Sequence, residues 1–148
     1  MNKEVHTYSP AFKEEDIEEI ARISDDIVFN SPAQFYRFHK KVKEINPSIS
    51  VSLRVNPDVD PKTHPYISTG LKGNKFGIAY NDVIKTYTEA AALSSLKIVG
   101  IDCHIGSQIT EITPYLDALD RVLDLIEKLA QNDIQIHHLD IGGGLGIN

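Results

Sequence analysis

The amino-acid sequence predicts an α/β fold in which five parallel strands alternate with helices. One observation supports this prediction. Short apolar stretches of strand length alternate with longer segments whose apolar residues recur at helical spacing, and such alternation is typical of parallel sheets built from right-handed crossovers. The 148 residues are expected to form one domain spanning residues 1–148. A closed (β/α)8 barrel typically needs about 250 residues, which is more than this chain has.

The first half of the chain contributes two predicted strands and two predicted helices. Ile17, Ile20 and Ala21 recur at helical spacing, and Ser31 is a candidate N-cap with Pro32 at the first helical position. The predicted elements are a strand at Val5–Tyr8, a helix at Lys13–Arg22, a strand at Ile27–Phe29 and a helix at Pro32–Glu44.

The second half contributes three further strands. A polar loop at Asp58–Asn74 interrupts the alternation, and its length and composition predict the most mobile part of the chain. The predicted elements are a strand at Ile49–Val55, a helix from Asn81 or Asp82 to Ala92, a strand at Ile98–Ile105, a helix at Thr113–Asn132 and a strand at Ile134–Ile141.

The order of the strands within the sheet is left open by the sequence. Five parallel strands in chain order would form a partial (β/α) barrel with two open edges, and open edges favour pairing with another chain, as in a homodimer. An open flavodoxin-like three-layer sandwich would bury a sizeable core without a partner. At 148 residues the sandwich is therefore favoured over a closed barrel. Several strands look apolar on both faces, as expected when helices cover them.

Composition excludes several classes of protein. The formal net charge of −6 argues against sequence-independent nucleic-acid binding. Cys103 is the one cysteine, so a disulfide scaffold is excluded. The sequence contains no apolar run long enough to span a membrane and no signal-peptide pattern at its start. A cytoplasmic location is therefore expected.

Glycine-rich and polar residues cluster where the predicted strands end. Gly142, Gly143 and Gly144 directly follow the last strand, and consecutive glycines let backbone N–H groups approach a phosphate. The alternative is a tight turn that needs positive φ. The segment matches neither the P-loop nor the dinucleotide fingerprint.

His104 and Ser107 follow the fourth strand. An imidazole at this position can stack on an aromatic ligand, and a hydroxyl can bind phosphate, although a histidine at a strand end is more often structural. Cys103 and His104 point to opposite faces of the strand, as do His137 and His138. We therefore expect neither a Cys–His nucleophile nor a metal site, and Cys103 is expected to pack under a helix.

Arg54 lies between apolar neighbours near the end of the third strand. A charge at such a position needs a partner, which is either an anionic ligand or an internal carboxylate. Asp140, just before the glycines, has the same two interpretations.

Three motifs resemble a known family. They are Tyr66–Gly70 with Lys75–Gly77, Val99–Gln108, and Leu139–Gly146, and in this order they resemble the diaminopimelate decarboxylases. These enzymes belong to the alanine-racemase-like (fold type III) pyridoxal 5'-phosphate decarboxylases, and the resemblance places the chain within their cofactor-binding barrel. Residues 1–50 are more similar to the carboxynorspermidine decarboxylases of the same fold, which remain an alternative.

The resemblance implies roles for the candidate residues in binding the cofactor. His104 would stack on the pyridine ring, Ser107 and the backbone of Gly142–Gly144 would hold the phosphate, and Arg54 would lie near the cofactor. In this family the lysine that attaches the cofactor lies upstream of the matched motifs. None of the eleven lysines here follows a predicted strand.

Other parts of the family's active site also lie outside the matched motifs. These are a Glu-Pro-Gly-Arg segment and a C-terminal β domain. We therefore assign no catalytic residue and expect weak or absent cofactor binding and an inactive segment. A non-catalytic structural or phosphate-binding module, natural or engineered, is the alternative.

Overall fold

The structure is a computed structural model that describes residues 3–59, 76–93 and 96–147. Its elements are β1 (His6–Tyr8), α1 (Ile17–Ile23), β2 (Asp26–Phe29), α2 (Pro32–Ile45), β3 (Ser50–Asn56), β4 (Ile78–Ala79), a 3-10 turn (Tyr80–Asp82), α3 (Val83–Leu93), β5 (Lys97–Asp102), α4 (Thr113–Gln131) and β6 (His138–Asp140). Apart from its first two residues, the loop predicted at Asp58–Asn74 lies outside the described residues.

The strands form one parallel sheet in chain order, β1-β2-β3-β5-β6, and the short β4 pairs with the carboxyl end of β3. The five predicted parallel strands are thus confirmed, and β4 is an addition. The order is that of a half-barrel, so the preference for a flavodoxin-like sheet is wrong. The physical reason lies in the helices: α1 contacts α2, α2 contacts α3, and α3 contacts α4, so each βα unit packs beside the previous one.

The two faces of the sheet differ in polarity. Ile27 and Phe29 of β2 and Leu53 of β3 belong to the core under the helices. The alternate residues Ser52 and Arg54 point to the opposite, concave face and are also buried. The expectation that several strands are apolar on both faces holds for β2, whose Val28 is buried on the concave side, whereas β3 carries Ser52 and Arg54 there.

Local interactions explain where α2 begins and how α3 is held. The hydroxyl of Ser31 accepts a hydrogen bond from the amide of Gln34 (3.2 Å), with Pro32 in the first turn of α2, as predicted. The hydroxyl of Tyr87 in α3 is fully buried and lies 2.7 Å from the carbonyl oxygen of Gly100 and 3.2 Å from that of Leu53. This side chain therefore ties α3 to both β3 and β5.

Register brings polar residues of neighbouring strands to one level. Arg54 of β3 is paired with Asp102 of β5, and Asp102 is paired with Asp140 of β6. All three are near the carboxyl ends of their strands, where the candidate site residues follow. In the described part of the chain, no helix combines the length and apolarity needed to cross a membrane.

Candidate functional site

The first half of the site is a contact between His104 and the glycine turn that follows β6. The amide of Cys103 donates a hydrogen bond to the carbonyl oxygen of Asp140 (2.8 Å), so the ends of β5 and β6 are held together. Gly142 adopts φ +76°. A Cβ atom there would lie 2.5 Å from the Cys103 carbonyl oxygen and 2.9 Å from His104 Nδ1. Glycine is therefore required because the turn lies directly against the imidazole.

The second half of the site is the loop that carries Ser107. The amide of Ile109 donates to the carbonyl oxygen of Gly144 (2.9 Å), and the amide of Gly146 donates to that of Ile109 (2.8 Å). Gly144 adopts φ +94°, and a Cβ atom there would lie 1.9 Å from the carbonyl oxygen of Gly106. The half-buried Ser107 follows Gly106 directly, so the structure brings its loop against the glycine turn.

The three glycines have different environments. The amide of Gly142 already donates to Oδ1 of Asp140 (2.7 Å). A Cβ atom at Gly143 would meet nothing within 4 Å, and the Gly143 carbonyl accepts from the hydroxyl of Tyr115 (3.1 Å). Within the described part of the chain, the amides of Gly143 and Gly144 donate to no protein acceptor. These two amides, rather than all three, are available to a phosphate.

Of the two partners weighed from the sequence, an internal carboxylate forms no salt bridge among the described residues, and an anionic ligand stays a prediction for Arg54. Arg54 is 7% exposed. Its Nη1 donates a hydrogen bond to the hydroxyl of Tyr8. Its guanidinium carbon lies 5.1 Å from the ring centroid of Tyr8 and 5.4 Å from that of Phe76. Two aromatic rings and one hydroxyl therefore hold the charge.

Burial and charge shift the pKa values of the site residues in opposite directions. Burial and the neighbouring Arg54 lower the pKa of His104, which Asp140 opposes, so its imidazole favours the neutral form. Burial, together with the charges of Asp140 and Asp26, raises the pKa of Asp102 to about 7, although Arg54 opposes the rise.

Cys103 and the neighbouring histidines take structural positions. Cys103 is fully buried on the helix-facing side, as predicted, and burial raises the pKa of its thiol to about 12. The ring of His138 stacks on that of His6 with centroids 4.4 Å apart, while His137 is exposed. In the described ranges, no group of three or more His, Cys, Asp or Glu side chains is arranged to hold a metal ion.

Two residues of this region were missed by the sequence reasoning. Tyr8 was assigned only to a short strand, and Asp102 was read only as part of a motif. Tyr8 ends its strand, as the candidate residues do, and that position is the signal that identifies it. Asp102 gives no signal in the sequence, because its high pKa arises from neighbours on other strands.

Comparison with known proteins decides the family. Residues 2–148 match the family described as pyridoxal-dependent decarboxylase, pyridoxal binding domain. The chain belongs to this family. The pyridoxal-dependent decarboxylases use pyridoxal phosphate, so the cofactor expected from the sequence is that of the family.

Two relatives of the chain are named diaminopimelate decarboxylase. The chain is 58% identical over 111 residues to a diaminopimelate decarboxylase of Neisseria meningitidis, which covers 75% of this chain and 27% of the relative. It is 54% identical over 117 residues to that of Pseudomonas aeruginosa, covering 79% and 28%. The chain thus spans little more than a quarter of the length of these relatives.

A solved structure of the family has the same fold. The crystal structure of diaminopimelate decarboxylase from Helicobacter pylori complexed with L-lysine matches with a TM-score of 0.77 and 32% identity, over 90% of this chain and 34% of that chain. The resemblance to the diaminopimelate decarboxylases is therefore confirmed. The similarity of residues 1–50 to the carboxynorspermidine decarboxylases stays a prediction.

Proposed function

We propose that this chain is the part of a diaminopimelate decarboxylase barrel that holds the ring and phosphate of pyridoxal phosphate. The observation that carries the proposal is the contact of the His104 imidazole with a turn in which Gly142 and Gly144 adopt left-handed backbone conformations. In a longer protein the reaction would be the decarboxylation of meso-diaminopimelate to lysine. The relatives' names support this choice of substrate.

The residues present fit a phosphorylated aromatic ring. His104 offers a half-buried flat imidazole, and the amides of Gly143 and Gly144 offer two donors, with open space beside Gly143. The Ser107 hydroxyl adds a third donor from the adjacent loop. Arg54 adds positive charge at the same end of the sheet, which favours an anion.

In this proposal the residues of the chain bind and orient, while the cofactor supplies the chemistry. Pyridoxal phosphate, when bound, supplies an electron-accepting ring that makes loss of CO2 from an amino acid possible. His104 stacks on the ring face as a neutral imidazole, because burial and Arg54 lower its pKa. Ser107, Gly143 and Gly144 fix the phosphate. Because none of the eleven lysines follows a predicted strand, the 148-residue chain alone is expected to be inactive.

The expected affinity of the chain for the cofactor is low. Ser107 and the two glycine amides provide three hydrogen bonds, each worth roughly 0.5–1.5 kcal/mol net. Association costs about 4 kcal/mol or more. The two contributions nearly cancel, so we expect a dissociation constant in the millimolar range or weaker for pyridoxal phosphate and for inorganic phosphate.

Titration of both ligands against two variants tests the proposal. Ser107→Ala removes a phosphate donor and is expected to weaken both ligands by about three- to tenfold. His104→Ala removes the stacking surface and is expected to weaken pyridoxal phosphate while sparing inorganic phosphate, because only the ring has a face to stack on. Binding is followed by the chemical shifts of the glycine amides.

Exposed residues of the same types provide the controls. His137→Ala and Ser48→Ala alter exposed side chains and are expected to leave both affinities unchanged. Equal losses of the two ligands in His104→Ala would contradict the stacking role. Shifts that spare Gly143 and Gly144 would contradict the phosphate site.

In this proposal the chain is cytoplasmic, and it associates with a second copy through the open edges of its sheet. β1 and β6 are the outer strands of the sheet, each paired with one neighbour along its main path, and such edges favour pairing with a second copy. Sedimentation equilibrium measures this: a dimer supports pairing, and a monomer at all accessible concentrations contradicts it. The net charge of −6 favours neither nucleic acid nor an anionic membrane surface as a partner.

A further inference from the structure

A chain of hydrogen bonds links Arg54 on β3 to residues of β1, of the end of β2 and of α2. Its Nη1 donates to the hydroxyl of Tyr8 on β1, and that hydroxyl donates to Oδ1 of Asn30 (3.1 Å) at the end of β2. The amide of Asn30 in turn donates to Oε1 of Gln34 (2.6 Å) in α2. Asn30 is 8% exposed, so the acceptor for the Tyr8 hydroxyl is itself fixed.

A carboxylate lies next to Arg54 on the opposite side from Tyr8, in strand β5. Asp102 is the residue paired with Arg54 across β3 and β5, and a carboxylate is the stronger partner for a guanidinium. Among the described residues the two nevertheless form no salt bridge. The guanidinium instead lies beside the rings of Tyr8 and Phe76. Tyr8 and Asp102 therefore compete for one cation.

We propose that Tyr8 is a positioning residue that holds the guanidinium of Arg54 away from Asp102, so that its positive charge stays available to His104 and to a bound anion. The inference rests on the proposed function for its consequence in binding, but not for its test in the ligand-free protein. A phenylalanine at position 8 would keep the ring and lose only the hydroxyl, so Arg54 would turn to Asp102 and form an ion pair.

The charged groups around the two titrating side chains give the direction of the expected change. His104 is influenced by Arg54 and Asp140, and Asp102 is influenced by Asp140, Arg54 and Asp26. An ion pair with Arg54 favours the charged form of Asp102 and therefore lowers its pKa. The ionised Asp102 offsets the charge of Arg54, so the pKa of His104 rises.

The experiment follows both groups by nuclear magnetic resonance in the ligand-free chain. The carboxyl carbon of Asp102 and the imidazole of His104 are titrated in the wild type and in Tyr8→Phe. The expected result is a lower pKa for Asp102 together with a higher pKa for His104. A lost structural contact alone would lower the unfolding temperature without moving the two pKa values in opposite directions. Unchanged pKa values in folded Tyr8→Phe would overturn the proposal.

Tyr36→Phe is the matched control variant. Tyr36 and Tyr8 are each 39% exposed, and the hydroxyl of Tyr36 donates to Glu89 at 3.1 Å, which links α2 to α3. This variant is expected to leave both pKa values unchanged. Should Tyr8→Phe fail to fold, Asn30→Ala removes the acceptor of the Tyr8 hydroxyl, and the same two shifts are expected in a smaller measure.

Ligand binding separates this inference from the proposed function. Tyr8→Phe is expected to weaken inorganic phosphate by about three- to tenfold, as the loss of a charge interaction would. The additional change Asp102→Asn removes the competing carboxylate and is expected to restore phosphate binding. Titration shifts that spare Gly143 and Gly144 in the wild type overturn the proposed function, while the pKa shifts still decide the role of Tyr8. Normal binding with unmoved pKa values in Tyr8→Phe overturns only the role of Tyr8.

Discussion

Along β2 and β3, successive residues belong to two surfaces of very different composition. Ile27 and Phe29 on β2 and Leu53 on β3 face the helices and are fully buried among other apolar side chains. Asp26 and Ser52, one residue away, lie on the concave face and are equally buried. Ser52 donates a hydrogen bond to the carboxylate of Asp26 (2.8 Å). Equal burial on the two faces therefore involves different chemistry.

The comparison separates the residues that stabilise the fold, on the helix-facing surface, from those of the candidate site, on the concave surface. Burial of apolar area on the helix-facing surface provides the main driving force for folding. The concave surface buries polar groups, which costs free energy wherever their hydrogen bonds or charges are incompletely compensated. Asp102 illustrates that cost, because burial raises its pKa to about 7. The half-barrel tolerates such groups because the other face of the same strands supplies the core.

The largest effect is expected for truncation on the helix-facing surface. Leu53→Ala leaves a cavity beneath α3, whose Tyr87 hydroxyl lies 3.2 Å from the Leu53 carbonyl oxygen. We expect the free energy of unfolding to fall by about 3–5 kcal/mol. Urea denaturation followed by circular dichroism measures it. A loss below about 1 kcal/mol would contradict the assignment of Leu53 to the main core.

The same substitution, valine to alanine, can be made on each face of the sheet, so that the two losses of stability are directly comparable. Val51 is fully buried on the helix-facing side, and Val28 is 6% exposed on the concave side, outside the main core cluster. We expect Val51→Ala to cost about 2 kcal/mol and Val28→Ala about 1 kcal/mol or less. Equal losses would contradict the distinction between the two faces.

The pattern of β3 shows how far the sequence predicts the fold. The alternation of apolar residues with Ser50, Ser52 and Arg54 indicates one polar face, and a polar face is what a half-barrel without inner helices needs. The existence of the five strands, their parallel direction and the Ser31 cap were predictable from local pattern. Strand order was not, because it depends on how successive helices pack beside one another. The last strand also begins at His138 rather than at Ile134.

The site was predictable to the extent that its residues follow strands. His104, Ser107 and the glycine turn follow strands, Arg54 lies near the carboxyl end of β3, and parallel strands bring their carboxyl ends together. Contacts that depend on the curvature of the sheet leave no pattern in the sequence, so they could not be predicted. Tyr8 reaches Arg54 across β2, and the amide of Gly142 is taken by Asp140.

The second largest effect is expected in the glycine turn itself. A Cβ atom at Gly144 would lie 1.9 Å from the Gly106 carbonyl oxygen, at φ +94°, whereas one at Gly143 would meet nothing within 4 Å. Gly144→Ala is expected to cost about 1–3 kcal/mol of unfolding free energy and to abolish phosphate binding. Gly143→Ala, the matched variant, is expected to cost about 0.5 kcal/mol or less. Equal behaviour of the two variants would contradict the described geometry of the turn.

The smallest effect concerns Asp102 and depends on pH. In the folded chain burial raises its pKa from 3.8 to about 7. Between these values the folded state holds a proton that the unfolded state has lost, so this group makes stability fall as pH rises from about 4 to about 7. Above pH 7 the carboxylate is charged in both states, and the full cost of burying it beside Asp140 and Asp26 is present. Asp102→Asn removes that cost.

We therefore expect Asp102→Asn to be more stable than the wild type by about 1–2 kcal/mol at pH 8, a value reduced for the partial solvent exposure of the side chain. The difference is expected to shrink steadily below pH 7 and to vanish near pH 4, where the wild-type carboxyl is protonated in the folded state. Denaturant unfolding of both proteins at pH 4, 6 and 8 measures this trend. Asp124→Asn, which alters an exposed carboxylate paired with Lys128 on α4, is the control and is expected to show no such stabilisation at pH 8. An Asp102→Asn variant less stable than the wild type at pH 8 would show that this carboxylate contributes to folding and that the concave face carries part of the stability assigned here to the helices.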